Sequence, residues 1–132
     1  MANAMYPKGK EGLLTAQFNM SSDTIKVALL NTDVAAYDAG HDFYNDSSAG
    51  VVGTPVALTS KTYAGGVFDS ADPTWTGVSG AEFEAMVIYK DTGDPATSPL
   101  LLYVDTGVTG LPMTPVSGNI TYTVPAEGWF GL

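Results

Sequence analysis

A chain of 132 residues, 45% of them hydrophobic, is long enough for one domain with its own apolar core. It has no cysteine, which removes disulfides and thiolate metal sites, and no apolar run reaches the length of a membrane-spanning helix. Fourteen acids face five lysines and no arginine, a formal charge of −9, so the chain repels phosphate backbones and anionic membranes and lacks the usual reader of guanine edges.

Residues 1–23 read as an N-terminal arm, of which 1–12 are polar, with a break at Pro7–Gly9, and fit an arm or the start of a short helix. Leu13, Leu14 and Phe18 suggest a helical turn within 12–20 that packs on a sheet. No apolar core of a secretion signal is present, so the expected product is soluble and stays inside the cell until lysis or until carried in a particle. Lys8 and Lys10, with Lys26, concentrate positive charge at this end. The remainder, 24–132, reads as one β domain. Its first strand is TIKVALL, with Ile25, Val27 and Leu29 on one face and Lys26, Ala28 and Leu30 on the other. Residues 31–50 form a long polar stretch punctuated by Tyr37, Phe43 and Tyr44. The segment HDFYND within it fits one helical turn. A loop this long is functional or covers an edge.

One or two short strands follow in 51–63, then Val67–Phe68 and Thr74–Val78, split by an acidic turn. The centre of the chain is the stretch 82–105. Phe83, Ala85, Val87 and Tyr89 alternate with their neighbours, and Leu100–Val104 is apolar on both faces. These two runs predict an antiparallel hairpin with a projecting acidic loop, DTGDPATSP. A Gly/Pro-rich connector spans 106–118, and NITYTV gives a last strand. The tail ends in Trp129, Phe130 and Leu132, tied down on its own sheet or on a neighbouring copy. Seven or eight short strands between turn signals predict an all-β fold, an antiparallel β-sandwich of jelly-roll or Ig-like type with a short N-terminal arm or helix.

Residues able to carry chemistry are few. His41 is the single histidine, and no nucleophile motif accompanies it and Asp42. Glu82 and Glu84 share a strand face, the pattern of a solvated row more than of an acid–base pair. Asp69, Asp72, Asp91 and Asp94 lie in turns, where capping accounts for them, and no calcium-loop spacing occurs. The residues therefore predict no catalytic, cofactor or metal site and point to binding by contact.

The blocks MANAMYPKGKEGLL, DTIKVALLNTD, HDFYND, LTSKT, GVFDSADPTWTGVSG, EAMVIYKDTG, TSPLLLYVDTG and GLPMTP, in this order, resemble small virion proteins of tailed bacteriophages over about 6–118. The C-terminal block, YTVPAEGWFGL, is shorter than the tryptophan-containing strand usual in that group. The resemblance implies a structural protein made in the host cytoplasm and carried on the capsid surface. It implies a cement or decoration protein, bound as a homotrimer to the major capsid protein. A tail or head–tail junction component and a carbohydrate-binding tail adhesin are the alternatives. Within this reading Tyr6, Pro7, Lys8 and Lys10 are the expected capsid contacts. Trp129, Phe130 and Leu132 are the expected contacts between copies.

Overall fold

A computed structural model of the chain describes residues 3–105 and 111–131. It is an all-β antiparallel sandwich with one short helix. The elements run β1 (Ala4–Met5), α1 (Pro7–Leu14), β2 (Ile25–Leu30), β3 (Val51–Ala57), β4 (Val67–Phe68), β5 (Thr74–Val78), β6 (Ala85–Lys90), β7 (Leu100–Val104), β8 (Gly118–Thr121) and β9 (Phe130–Gly131). A five-stranded antiparallel sheet has the order β1-β7-β6-β2-β3, and two-stranded ribbons pair β4 with β9 and β5 with β8. The α1 helix spans only eight residues, and no helix among the described residues is long and apolar enough to cross a membrane.

Strands β2, β6 and β7 are apolar at alternate and at intervening positions, so both faces of the sheet need a cover. On one face Ile25, Val27, Leu29, Met86, Ile88 and Val104 meet Phe68, Trp75, Val78, Tyr122 and Trp129 from the ribbons and their flanks. On the other, Ala28, Leu30, Val87, Tyr89 and Tyr103 pack with Tyr6 and Ala35 and with half-buried Tyr37 and Tyr44. The long segment 31–50 is thus the lid of the second face. Its ends are closed by the Asn31 N–H, which donates to the Gly50 carbonyl at 2.7 Å.

The hairpin predicted for 82–105 is present, with Ile88 opposite Leu102 and Tyr89 opposite Leu100. Leu101 is the extra residue of a β-bulge in this register. Leu101 and Leu102 consequently both enter the ribbon-side core. The bulge is where the N-terminal segment attaches. The Tyr6 N–H donates to the Leu101 carbonyl at 2.9 Å. One turn on, a Cβ at Gly9 would lie 2.8 Å from both the Leu100 oxygen and the Leu101 Cα. Only glycine lets the helix come this close to the strand.

The segment from Ala4 to Leu14 is therefore not an arm apart from the domain. Ala4 pairs with Tyr103 and Met5 with Leu102, so β1 is an edge strand of the main sheet. The helix begins earlier than expected, with Pro7 in its first turn, where the missing N–H costs nothing. Its last turn is closed by Thr15, whose N–H and hydroxyl both donate to the Glu11 carbonyl, at 2.9 and 2.8 Å. Of the connector predicted for 106–118, residues 106–110 lie outside the described residues.

Substituting Gly9 sets two effects against each other. Alanine in a helix is worth about 1 kcal/mol over glycine. Forcing a methyl against backbone that cannot rotate away costs about 1–3 kcal/mol. Gly9→Ala should therefore lower stability or leave it flat in urea unfolding, whereas a gain of the full helix propensity would show that the contact is loose. Gly118→Ala, whose Cβ would meet nothing within 4 Å, is the control and should shift the midpoint little.

Candidate functional site

The five lysines divide by partner. Lys26 Nζ pairs with Asp91 at 2.8 Å. Lys90 Nζ pairs with Asp23 at 3.3 Å and donates to the Gln17 carbonyl at 2.7 Å. Lys61 Nζ donates to the Asp23 carbonyl at 2.7 Å. Lys8 and Lys10, both on α1, form no ion pair among the described residues. Lys10 is exposed, and the Lys8 ammonium stands 5.5 Å from the centre of the Phe43 ring, within cation–π range.

Phe43 reaches Lys8 because the lid segment is stitched to the β6–β7 loop. Phe43 and Pro99 form an antiparallel bridge. The Tyr44 N–H donates to the Ser98 carbonyl at 2.7 Å and the Leu100 N–H to the Asp42 carbonyl at 3.0 Å. Asp46 sets the turn, accepting the N–H groups of Asp42 and Phe43 at 2.9 and 3.2 Å. These bonds hold its carboxyl below the usual aspartate value. Between α1 and this seam lies an open groove of about 350 Å³. It is lined by Lys8, Gln17, Phe43, Lys90, Thr92, Thr97 and Pro99.

The acidic loop beside the groove satisfies itself. Asp91 Oδ1 accepts the Gly93 N–H and Asp94 Oδ1 the Ala96 N–H, each at 2.9 Å. Ser98 Oγ donates to the Asp94 carbonyl at 2.8 Å, and the hydroxyls of Thr92 and Thr97 share a hydrogen bond of 2.7 Å. These are turn-capping roles, and among the described residues no group of three His, Asp or Glu side chains is placed to hold a metal ion.

The other chemistry-bearing residues are dispersed. His41 Nδ1 is buried with no hydrogen-bond partner, so Asp42 does not orient it. Glu84 Oε2 accepts the Thr32 N–H at 3.1 Å, which ties it to the start of the lid, while Glu82 is exposed. The tyrosines build the lid's packing: Tyr37 lies between Tyr6 and Tyr103, at 5.0 and 5.5 Å between ring centres, and Tyr44 stacks on Tyr89 at 4.1 Å. Burial raises the Tyr6 hydroxyl well above its ordinary value. Ser47 lies near enough to moderate that shift, though without hydrogen-bond geometry between the two hydroxyls. Tyr103 is pushed up to about 12, by burial first and then by Asp105.

Of the expected capsid contacts, Tyr6 is corrected. It is completely buried, with its ring on Tyr37 and its N–H in the sheet, so it is not available to a partner. Pro7 and Lys10 are exposed and Lys8 is half-exposed. Of the expected contacts between copies, Trp129 is likewise used within the chain. It is buried, its Nε1 donates to Ser70 Oγ at 2.8 Å, and its ring lies 5.2 Å from that of Tyr122. Phe130, half-buried in β9, sits 5.6 Å from Phe68. Leu132 lies outside the described residues. The groove itself was not visible in the sequence, because Lys8, Phe43 and Thr97 come from three distant segments. The only cues were an aromatic in the long loop and prolines in the hairpin loop.

Comparison with models of known protein families gives no match, and no curated protein matches the chain.

The acidic loop beside the groove has a defined pH response. Lys26 first, and the Gly93 N–H second, hold the Asp91 carboxyl below its ordinary value of 3.8. Because the folded value is the lower one, the stabilisation is complete above the unfolded value and is lost as pH falls through the folded one. The urea midpoint should thus decline as pH drops from roughly 5 towards and below 3.8. Asp91→Asn should lower the midpoint at neutral pH and make the acid decline shallower. An unchanged acid decline in the variant would remove Asp91 from its causes.

Proposed function

We propose that this chain is a non-enzymatic structural protein of a tailed-bacteriophage virion, a cement protein that docks on the major capsid protein. The observation that carries the reading is the outer face of α1. It presents Lys10 and Leu14, one turn apart and the latter 87% exposed, while Lys8 lies on another side of the helix, in the groove. A helix clamped to the sheet through Gly9 offers these groups in a fixed arrangement. On a chain with a net charge of −9 it is the one end that an acidic shell would not repel. The order of sequence blocks shared with small phage virion proteins supports the same reading. The trimer rests on that resemblance, since Trp129 is used within the chain.

The energetics suit a repeated lattice. Exposed ion pairs are worth about 0–1 kcal/mol each, so single-copy affinity is modest. Occupancy then comes from apolar contact multiplied over linked copies. The acidic remainder keeps unbound copies apart in solution.

The test is to add the purified protein to heads of its phage that lack it and to measure occupancy and the heat stability of the heads. Saturable binding with a raised melting temperature is expected. The double substitution Lys10→Glu, Leu14→Asp should weaken binding by about tenfold or more at physiological salt, since two contacts are lost on each of several linked copies. No binding to heads, with retention on purified tails or on host-surface sugars, would overturn the proposal.

A further inference from the structure

We propose that the groove between α1 and the β6–β7 loop is a docking slot for an acidic peptide segment of a partner protein. In it, one carboxylate meets Lys8 while a neighbouring apolar side chain lies on Phe43 and Pro99. Only the identity of that partner as a capsid protein rests on the function proposed above.

Charge complementarity selects this occupant. Lys8 lines the groove with its ammonium balanced by no carboxylate among the described residues, only by the face of Phe43 at 5.5 Å. Lys90, the other lining lysine, is held by Asp23 at 3.3 Å and by the Gln17 carbonyl at 2.7 Å. The acids of the adjoining loop do not compete for Lys8. Asp91 is engaged by Lys26 at 2.8 Å and by the Gly93 N–H, and Asp94 accepts the Ala96 N–H. On a chain of fourteen acids and five lysines, a cation left uncompensated in a concave site is the exception.

Shape and lining argue for a peptide over a small free anion. The groove, about 350 Å³, is at the lower end of ligand-site volumes, about 300–1,000 Å³. Its walls combine an aromatic ring, a proline ring and the methyl-bearing threonines, so an anion alone would leave them wet. An extended segment with an acidic residue next to a leucine or similar residue covers both. The hydroxyls of Thr92 and Thr97, 2.7 Å apart, add a polar edge for a backbone group. The seam that joins Phe43 to Pro99 fixes the walls, so little ordering is required on binding.

The experiment uses the full chain and two blocked peptides, acetyl-Ala-Leu-Glu-Leu-Ala-amide and the same sequence with Gln in place of Glu. Titration is followed by amide chemical shifts at low salt. The expected result is a localised response at Lys8, Phe43, Thr92 and Thr97. The Gln peptide should bind about fivefold more weakly, the size of one exposed charge pair at its upper end. Lys8→Gln should abolish the difference between the peptides, and Lys10→Gln should preserve it. A diffuse response, equal binding of the two peptides, or an undiminished preference in Lys8→Gln would overturn the proposal. Head binding separates this inference from the function. Peptide binding without head binding removes the capsid reading alone. Head binding that Lys8→Glu leaves unchanged, together with no peptide preference, removes the slot alone.

Discussion

The constraint on which the rest of the structure depends is that β2, β6 and β7 are buried on both faces. A strand such as Ala85–Lys90, whose first five residues are all buried, cannot leave either side of its sheet in water. One face takes the ribbons β4–β9 and β5–β8, with Trp75 and Phe83 among the largest fully buried side chains. Among the described residues no further sheet covers the other face. It uses Tyr6 and the segment 31–50 instead, whose tyrosines supply broad rings on a backbone that stays near the surface. Aromatic rings suit this task because each covers a large apolar area with few rotatable bonds.

The second cover brings the N-terminal segment and the lid to the same end of the hairpin. Once Tyr6 is fixed under Tyr37 and Gly9 on the β7 bulge, the first turn of α1 faces the Phe43–Pro99 seam. Lys8 then sits over Phe43 as a consequence of core packing. The groove is in this sense a by-product of covering the sheet, and residue 8 supplies a positive charge in it. The other lysines are spent on internal ties: Lys26 and Lys90 hold the acidic ends of neighbouring strands, and Lys61 reaches the Asp23 carbonyl. These ties are partly exposed and contribute little singly. They leave Lys8 and Lys10 without an ion pair among the described residues.

Much of the fold was legible in the sequence because its signals are local. The alternation in 24–30 and 82–90 and the unbroken apolar run at 100–104 correspond to β2, β6 and β7, and the turn residues between them to the hairpin loop. The length of 31–50 pointed to a functional loop or to the cover of an edge, whereas it covers the second face of the sheet. The N-terminus was misread because its controlling contacts are long-range. Gly9 and Gly12 lower helix propensity, so the pattern favoured 12–20, whereas close approach to β7 favours the observed Pro7–Leu14. Tyr6 looked like a free handle beside two lysines. Nothing within the first ten residues encodes its partners Leu101 and Tyr37. Trp129 was ambiguous for a similar reason, since Ser70, which accepts its Nε1 hydrogen, is distant in sequence from the tail.

Native-state hydrogen exchange at the Tyr6 amide tests the central claim, that the N-terminal segment is an integral part of the sheet and so a rigid platform for Lys8 and Lys10. This N–H donates to the Leu101 carbonyl at 2.9 Å. If the segment opens only with the domain, Tyr6 should exchange with the same opening free energy as the amides of β6 and β7, and both should fall together with added denaturant. Exchange at Tyr6 as fast as at an unprotected loop amide, with β6 and β7 still protected, would contradict the account.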